Sequence, residues 1–361
     1  MKAVVIGGGV AGLAAGYELA KQGHEVSLFE AGPILGGQVR TFEIGGGRIE
    51  SFYHHIFRSD TEIIALIEEL GLGDELDWIE SKGAMNSEGR NYPFVGPLDL
   101  LRFDRVSLLT RVRLGLVAMW LRRTSDWRGY EGVRASEWIR SRVGREGYER
   151  VWAPLLRAKF GPYAEDISMA WFWGKIYLRF ASRDGGLLAK ERLGYLRGSF
   201  GQLVDALAAA IAVRGGELAT SAPVERVLIE DGRVVGVEVP SAGGAGGTRR
   251  VDADVVLAMV PSGVFAGMVP ELGELDPEYA RLLGETRYQW ASVLVLTLDR
   301  PLSEHYWLTM TDEDCPFVVA VEQTNFVSPE TYGGRHVLYL SNYTSPNDPI
   351  IELNADEVFE R

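Results

Sequence analysis

Two short apolar runs with a helical stretch between them open the chain. Lys2–Ile6 and Glu25–Phe29 are rich in Val, Ile and Leu, and runs of this length are typical of buried parallel strands. The residues between them predict a helix over Ala11–Lys21, in which Ala11 and other small residues would allow close packing on a sheet. The second strand ends on an acid, Glu30. This order of strand, helix and strand predicts an α/β fold built on a parallel sheet.

The hydrophobic periodicity of the later chain predicts further elements. Apolar residues spaced three and four apart predict helices over Asp60–Leu70, Glu137–Arg150, Phe200–Arg214 and Asp276–Glu285. Alternating or continuous apolar runs predict strands over Val224–Ile229, Arg233–Val239, Val255–Met259, Ser292–Leu298, Phe317–Glu322 and His336–Tyr343. Asp231 and Gly232 predict a hairpin between the first two strands, and Ser241–Thr248 predicts a flexible hairpin tip. The last three strands are expected to form an antiparallel sheet.

Three glycines between the first strand and the first helix carry a functional signal. Gly7, Gly9 and Gly12 fall at G-x-G-x-x-G spacing, and Glu30 stands eighteen residues beyond the last of them. In this motif the glycines allow a tight turn, close approach of a pyrophosphate and close helix packing, while the acid accepts hydrogen bonds from a ribose. A turn with a purely structural role would leave Glu30 unexplained. The pattern predicts a dinucleotide site, and because Ala31 supplies no cation for a 2′-phosphate, FAD or NAD is favoured over NADP.

Composition limits which molecules the protein can bind and in which cellular compartment it is expected. The 361 residues suffice for two domains, and the formal net charge of -13 with a pI near 5.0 argues against nucleic acid as a partner. The single cysteine, Cys315, excludes an intrachain disulfide and fits a reducing cytoplasm. No apolar run reaches the length of about 18 residues that predicts a membrane-spanning helix.

The segment 102–128 is basic in this acidic chain and is strongly apolar as well. It carries seven arginines against two aspartates, with leucines, Met119 and Trp120 among them. An amphipathic helix of this composition can lie on an anionic membrane surface. The alternative is a helix that buries its apolar face within a helical domain and leaves its arginines in water. Peripheral membrane contact through this segment is therefore one of two predictions.

A second glycine pair, Gly36 and Gly37, closely follows the acid and suggests a longer ligand than one phosphate loop requires. With these residues the sequence resembles the flavin-dependent amine oxidase superfamily, which includes protoporphyrinogen oxidases and phytoene desaturases. The resemblance implies FAD as the cofactor. An arginine usually follows the glycine pair in that superfamily, whereas Gln38 stands here with Arg40 nearby. Glutamine can still donate a hydrogen bond to the cofactor.

The resemblance also implies an architecture in which a Rossmann-like FAD-binding domain, similar to that of glutathione reductase, is interleaved with an α+β substrate domain. The expected ranges are 1–84 and 194–265 for the FAD-binding domain, and 85–193 and 266–361 for the substrate domain. The residue matching Val224 contacts adenine through its backbone, and the strand that ends at Pro261 runs toward the flavin. Members of the superfamily continue into a glycine-rich segment that meets the flavin from the other side, and the sequence up to residue 361 has no match to it.

Imidazole and aromatic side chains are expected near the flavin ring and the substrate. Where similar sequences pass along the flavin, this chain carries His54 and His55, which are candidates for hydrogen bonding or a proton relay. Packed or surface imidazoles are the alternative, and a metal site is disfavoured because adjacent imidazoles on a strand point apart. The stretch 151–179 is the most aromatic of the chain and either walls a substrate pocket or forms core.

The leading functional hypothesis is FAD-dependent removal of a hydride from a C–N or C–C bond of a small or lipophilic substrate, such as an amine, a porphyrinogen or a polyene. A second is a non-redox flavoenzyme similar to sugar-nucleotide mutases, in which Arg58, Arg179 and Arg183 would bind a diphosphate. A third is a chain that binds flavin poorly and has no catalytic role. An NAD dehydrogenase fits less well because it leaves the second glycine pair unexplained.

Overall fold

The computed structural model describes residues 1–93, 96–181, 190–241, 247–312, 314–345 and 347–360. Most of the predicted tip at Ser241–Thr248 lies outside the described residues, as does Arg183. The strands are β1 Lys2–Ile6, β2 Glu25–Phe29, β3 Thr41–Ile44, β4 Gly47–Glu50, β5 Leu76–Glu80, β6 Gly83–Ser87, β7 Arg90–Pro93, β8 Arg192–Leu196, β9 Glu217–Ala219, β10 Arg226–Glu230, β11 Arg233–Pro240, β12 Thr248–Asp252, β13 Val255–Ala258, β14 Trp290–Leu298, β15 Trp307–Met310, β16 Val319–Glu322 and β17 His336–Thr344. The helices are α1 Val10–Lys21, α2 Thr61–Glu69, α3 Pro97–Arg102, α4 Leu108–Arg123, α5 Ala135–Val143, α6 Arg145–Gly147, α7 Ala153–Phe160, α8 Met169–Ala181, α9 Gly201–Val213, α10 Ser262–Met268, α11 Leu272–Leu275, α12 Pro277–Glu285 and α13 Ala355–Phe359.

A parallel sheet in the order β13-β1-β2-β9 lies at the centre of the first part of the fold. β1 and β2 have the predicted bounds, whereas β9 was not predicted because its three residues are too few to show a periodicity. Helices α1 and α9 cover one face, where Leu13, Leu28 and Leu207 are buried together. The antiparallel sheet β10-β11-β12 packs on the other face through Val227 and Val237. The predicted α/β class is confirmed.

The close packing of α1 on this sheet depends on Gly12 and Gly16. A Cβ at Gly12 would lie 1.9 Å from the Gly7 carbonyl oxygen, and a Cβ at Gly16 would lie 3.6 Å from Val26 Cγ1. Ala11 is instead exposed in the first turn of the helix, so the expectation that it packs on the sheet is wrong. Helix geometry explains this, because positions 12 and 16 share one face while position 11 points about 100° away.

A second, mainly antiparallel sheet has the order β14-β17-β16-β15-β6-β7. The three strands predicted near the end of the chain correspond to β14, β16 and β17 and pair antiparallel as expected, whereas β15 and β6 are parallel. One face of this sheet packs against Ile49 and Tyr53 through Val321 and Tyr339. The predicted domain boundaries at residues 84 and 193 fall inside β6 and β8, and the division into two domains stays a prediction.

The helices from α3 to α8 form a third part with its own core, in which Ile139 and Phe172 are buried. The single helix predicted over Glu137–Arg150 is wrong. Gly144 adopts a φ of +94° between α5 and α6, and a π-helical turn follows at Tyr148–Trp152. A glycine at positive φ ends a right-handed helix even where the apolar periodicity continues past it.

Two local predictions are confirmed by turn and cap geometry. Asp231 and Gly232 have φ of +50° and +72° between β10 and β11, as a type I′ hairpin turn requires. The Asp276 carboxylate accepts a hydrogen bond from the Tyr279 N–H at 2.9 Å and caps α12. Within the described ranges no helix has the length and apolarity to cross a bilayer.

Candidate cofactor and substrate site

Four chain segments meet at the carboxyl end of the parallel sheet, which is where open α/β sheets bind their ligands. The Gly7 N–H donates to the Phe29 carbonyl at 2.8 Å, and the Glu30 N–H donates to the Ala219 carbonyl at 2.8 Å. On the other side of β1, a Cβ at Gly7 would lie 2.7 Å from the Met259 carbonyl oxygen. The loops after β1, β2, β9 and β13 therefore surround one place.

The first glycine loop is packed so closely that it excludes side chains. Gly7 adopts a φ of +104°, and Gly12 lies against the Gly7 carbonyl, so α1 begins directly beneath the turn. Gly9 is the N-cap of α1 and provides no side-chain hydrogen bond to its first turn. The N–H groups and the positive dipole end of α1 thus face the loop and can receive a pyrophosphate.

The second glycine pair lies directly on the first loop. The Gly36 N–H donates to the Gly8 carbonyl at 2.8 Å, and a Cβ at Gly37 would lie 3.0 Å from the Gly9 Cα atom. Gly36 and Gly37 have φ of +114° and +56°, a region that side chains disfavour. Gln38 follows them and is exposed. The two loops form one backbone surface with exposed polar groups beside it.

Glu30 connects these loops through both of its carboxylate oxygens. Oε2 accepts a hydrogen bond from the Gly8 N–H at 2.7 Å, and Oε1 accepts one from the Gly32 N–H at 2.7 Å. Each oxygen keeps a second lone pair that can accept a further hydrogen bond. The sequence motif predicted the ribose contact but gave no signal for this role in ordering the loops. Ala31, between the acid and Gly32, is exposed.

The predicted sites at Val224 and Pro261 flank the same place. The Ala222 N–H donates to the Glu30 carbonyl at 2.9 Å, which brings the chain leading to Val224 beside the acid. The Val224 side chain is buried in the core beneath the sheet, so only its backbone can face a ligand. Pro261 is the N-cap of α10 and stands two residues after Met259. The structure therefore brings together the predicted cofactor residues from all four segments.

The two predicted histidines lie elsewhere, on the segment that follows β4. His54 Nδ1–H donates to the Phe52 carbonyl at 2.6 Å, and His55 Nδ1 lies 3.3 Å from the Tyr306 hydroxyl. Burial lowers the pKa of both imidazoles, and for His55 burial together with nearby Arg179 lowers the pKa to about 3. Both rings are therefore neutral near pH 7. Their Nδ1 atoms already have protein partners.

Basic side chains that the sequence did not single out as a group lie near His55. Lys159 Nζ donates to the Tyr343 hydroxyl at 3.0 Å and lies 4.4 Å from the centre of that ring. Lys175 and Arg179 are four residues apart on α8, and therefore share a face. The pKa of Lys175 is lowered to about 8 by burial and by the charges of Lys159 and Arg179. The i, i+4 spacing of lysine and arginine was the available signal.

The other arginine proposed for a diphosphate is engaged differently. The Arg58 guanidinium lies over the Trp78 ring of β5, 4.4 Å from its centre. The aromatic stretch 151–179 packs on the helical core. Phe172 is buried in that core, and Phe160 and Trp171 are partly buried against it and meet edge to face, with ring centres 4.6 Å apart, beside Lys159. A role of this stretch as a substrate wall stays a prediction.

A buried acid, Glu50, connects the parallel-sheet part of the fold with the antiparallel sheet that contains β17, and it was not predicted as a site. Its Oε2 accepts a hydrogen bond from the Tyr195 hydroxyl at 2.8 Å, and its Oε1 accepts one from the Phe200 N–H at 2.6 Å. The Tyr339 hydroxyl of β17 donates to the Glu50 carbonyl at 2.7 Å. The side chain is fully buried, and this burial raises the pKa of the carboxyl.

Comparison of the sequence with known proteins relates this chain to flavoproteins. The profile described as flavin containing amine oxidoreductase matches residues 10–361. A protein named "Probable zeta-carotene desaturase" from Synechococcus elongatus is 28% identical over 311 residues, which cover 79% of this chain and 62% of that protein. Coproporphyrinogen III oxidase of Propionibacterium freudenreichii is 25% identical over 308 residues, covering 69% of this chain and 58% of the oxidase. This chain thus spans about three fifths of these relatives' length.

A solved structure shares the overall fold. The crystal structure of an oxidoreductase from Methanosarcina mazei superposes with a TM-score of 0.75 at 21% identity, covering 100% of this chain and 82% of that one. At this identity the likeness concerns the fold alone.

Proposed function

The chain belongs to the flavin containing amine oxidoreductase family, and on this premise we propose that it is an FAD-dependent oxidoreductase acting on a C–N or C–C bond. Membership confirms the resemblance seen in the sequence and FAD as the cofactor. The observation that carries the proposal is the contact of the two glycine loops beside Glu30, which forms a backbone surface for a pyrophosphate next to a ribose acceptor.

The chain's own residues fit the ADP half of FAD. The proposed cofactor-binding residues are Gly7, Gly9, Ala11, Gly12, Glu30, Ala31, Gly36, Gly37, Gln38, Val224 and Pro261. The N-terminus of α1 would receive the pyrophosphate, because no side chain caps the helix and its first N–H groups are therefore available. The glycines keep this surface free of side chains, since even a Cβ at Gly37 would crowd Gly9. Glu30 would accept from the ribose, and Gln38 would donate to the cofactor.

When bound, FAD supplies the acceptor for a hydride that leaves a substrate carbon with its two electrons. The neighbouring N–H or C–H bond loses a proton, so that a C=N or C=C bond remains. We place the substrate between α8 and the antiparallel sheet, near His55. The neutral imidazole of His55 would position the substrate by a hydrogen bond, since a ring with a pKa of about 3 keeps one N–H but takes up no second proton near pH 7.

Anaerobic reduction of the bound flavin tests the function. An amine, a porphyrinogen and a polyene are added separately to the FAD-loaded protein, and bleaching of the flavin absorbance with recovery in air is expected for one class. No bleaching by any class would contradict the proposal. Binding of a UDP-sugar to the reduced protein alone would instead favour the mutase-like hypothesis.

Peripheral membrane contact through residues 102–128 is part of the proposal. Leu108, Leu109 and Leu116 of α4 are 64%, 60% and 61% exposed. Arg111 ties this helix to α3 by donating to the Leu101 carbonyl at 2.7 Å, which sets the exposed Leu101 beside them. Exposed leucines among arginines are suited to an anionic bilayer surface. Residence in a reducing cytoplasm stays a prediction from the single cysteine.

A further inference from the structure

Basic side chains of α7 and α8 cluster beside Tyr343 of β17. Lys159 lies at the end of α7, where its Nζ atom is 3.0 Å from the Tyr343 hydroxyl of β17. Phe160, the next residue, packs edge to face on Trp171 of α8. Lys175 is one helical turn beyond Trp171, with its Nζ 5.7 Å from the centre of that ring. Arg179 is one further turn along the same face.

His55 lies near two of these cations and connects them to β15. Arg179 and Lys175 both act electrostatically on His55, and the His55 ring meets the Trp307 ring of β15 with ring centres 6.1 Å apart. Lys175 is exposed to solvent although protein surrounds it closely enough to lower its pKa. Lys175 thus keeps solvent access while the neighbouring protein and the charges of Lys159 and Arg179 destabilise its charged form.

Among the residues that the structure describes, no carboxylate pairs with these cations. The charged groups that act on Lys175 are Lys159 and Arg179, and within the described part of the chain neither lysine nor Arg179 forms an ion pair with an acid. Several other exposed arginines in the described ranges do have acidic partners, as in the pairs of Arg140 with Glu165 and Arg197 with Asp77. Keeping three cations together without a counter-charge costs free energy, which an anionic ligand would recover.

We propose that Lys159, Lys175 and Arg179 form a subsite for an anionic group, a carboxylate or a phosphate, on a substrate whose body is apolar. Phe160, Trp171 and Tyr343 would contact that body, while the cations hold its charged end. The subsite rests on the proposed oxidoreductase function, because it would orient the substrate relative to FAD. It favours an anionic substrate over an amine, whose ammonium end these cations would repel, and over an uncharged polyene.

Three probes with the same apolar body test the charge preference. The FAD-loaded full chain is titrated with pyrenebutyrate, its methyl ester and pyrenebutylamine, and binding is followed by pyrene fluorescence and by perturbation of the flavin absorbance. We expect pyrenebutyrate to bind about tenfold more tightly than the ester, and the amine to bind most weakly. Equal binding of the acid and the ester would overturn the proposal.

Neutralising variants locate the effect. Lys159→Gln, Lys175→Gln and Arg179→Gln are each expected to weaken pyrenebutyrate binding by about fivefold to tenfold and to leave the ester unchanged. Arg249→Gln, an equal charge change at an exposed position of β12, is the matched control. FAD content and unfolding temperature are measured for every variant. A loss in Arg249→Gln as large as in the other three would overturn the subsite.

Competition identifies the source of the anion. Displacement of pyrenebutyrate by pyrophosphate at lower concentration than by benzoate would indicate a phosphate-bearing substrate, and the reverse order a carboxylate; either result supports the subsite. Displacement by neither would count against it. These titrations use oxidised enzyme without turnover. A failure of flavin reduction would therefore affect the proposed function alone, and charge-independent binding would affect the subsite alone.

Discussion

The backbones of Gly9 and Gly37 lie in contact, so that a Cβ on Gly37 would come within 3.0 Å of the Gly9 Cα atom. Two loops separated in sequence by a helix and a strand thus form one surface. A Cβ at this distance from backbone is tighter than nine in ten such contacts in proteins, so one of the two segments has to move by a few tenths of an ångström. Because Gly9 is also the N-cap of α1, any displacement there would move the N–H groups proposed to hold the pyrophosphate.

Gly37→Ala should weaken FAD binding by about tenfold or more, because the new methyl group pushes the second loop away from Gly9. Gly71→Ala is the matched control, since Gly71 also has a positive φ, +78°, but has no atom within 4 Å of its Cβ position. Both variants carry the backbone cost of about 1–2 kcal/mol for a side chain at positive φ. FAD dissociation constants from flavin fluorescence check this, and equal affinities in the two variants would contradict it.

Replacing Glu50 tests the connection between the parallel-sheet part of the fold and the antiparallel sheet that contains β17. Glu50→Ala leaves the Phe200 N–H and the Tyr195 hydroxyl without their acceptor, at a cost of about 3 kcal/mol in the free energy of unfolding. Glu50→Gln keeps an acceptor oxygen and should cost less. Urea denaturation of the three proteins measures the difference. A Gln variant as unstable as the Ala variant would show that the charge, not the hydrogen bonds, is required.

The pH dependence of unfolding should change in Glu50→Gln. The folded pKa of Glu50 is raised above the value of about 4.3 for an unfolded chain, so the folded state keeps the proton after the unfolded chain has lost it. Its contribution to stability is complete below the unfolded pKa and is lost as pH rises through the folded pKa. The free energy of unfolding of the wild type, minus that of Glu50→Gln, should therefore decrease as pH rises from about 4. A constant difference would refute this.

His55→Gln should lower kcat without changing the pH profile between about pH 5 and 8, because an imidazole with a pKa of about 3 does not titrate in that range. The expected reduction is about tenfold, as for loss of one positioning hydrogen bond. Tyr306→Phe, which removes the hydroxyl near Nδ1, should cause a smaller loss. Disappearance of an inflection near pH 6 in the His55 variant would instead indicate a proton relay.

Anion binding should weaken as pH rises through about 8, because Lys175, with its pKa lowered to about 8, then loses its charge. Lys159 and Arg179 are the other basic groups near Lys175, and His55 stays neutral throughout this range. In Lys175→Arg the inflection should vanish, since guanidinium stays protonated. Titrations of pyrenebutyrate from pH 6 to 10 measure the effect. An inflection that persists unchanged in Lys175→Arg would assign it to another group.

Replacing Leu109 and Leu116 by Ser should reduce sedimentation with vesicles containing phosphatidylglycerol, because these side chains would otherwise enter the bilayer surface. Val213→Ser is the control, since Val213 is 85% exposed at the end of α9 and is not part of the basic segment 102–128. Phosphatidylcholine vesicles should bind the wild type less, since they lack the anionic charge. Equal sedimentation of the wild type and both variants would contradict membrane contact. If the wild type is instead a dimer and the Leu variant a monomer, this face serves self-association.

Local patterns in the sequence predicted the cofactor side of the molecule. The strand, glycine turn, helix and acid lie within one short stretch, and each has a fixed geometry, so spacing alone placed Gly7, Gly12 and Glu30. The expectation for Ala11 was wrong because helix phase, not residue size, decides which side chain meets the sheet. The helix at Glu137–Arg150 was wrong for a similar reason, since one glycine at positive φ overrode the apolar period.

The sequence by itself determined the fold class, the cofactor family and the phosphate loop, because these depend on residues that are near one another along the chain. Only the tertiary structure decided that Gly37 rests on Gly9, that Glu50 meets Tyr195 across 145 residues, and that Lys159 meets Tyr343 across 184. Such contacts arise when strands and helices distant in sequence pack together, and neither periodicity nor spacing records which surfaces will meet.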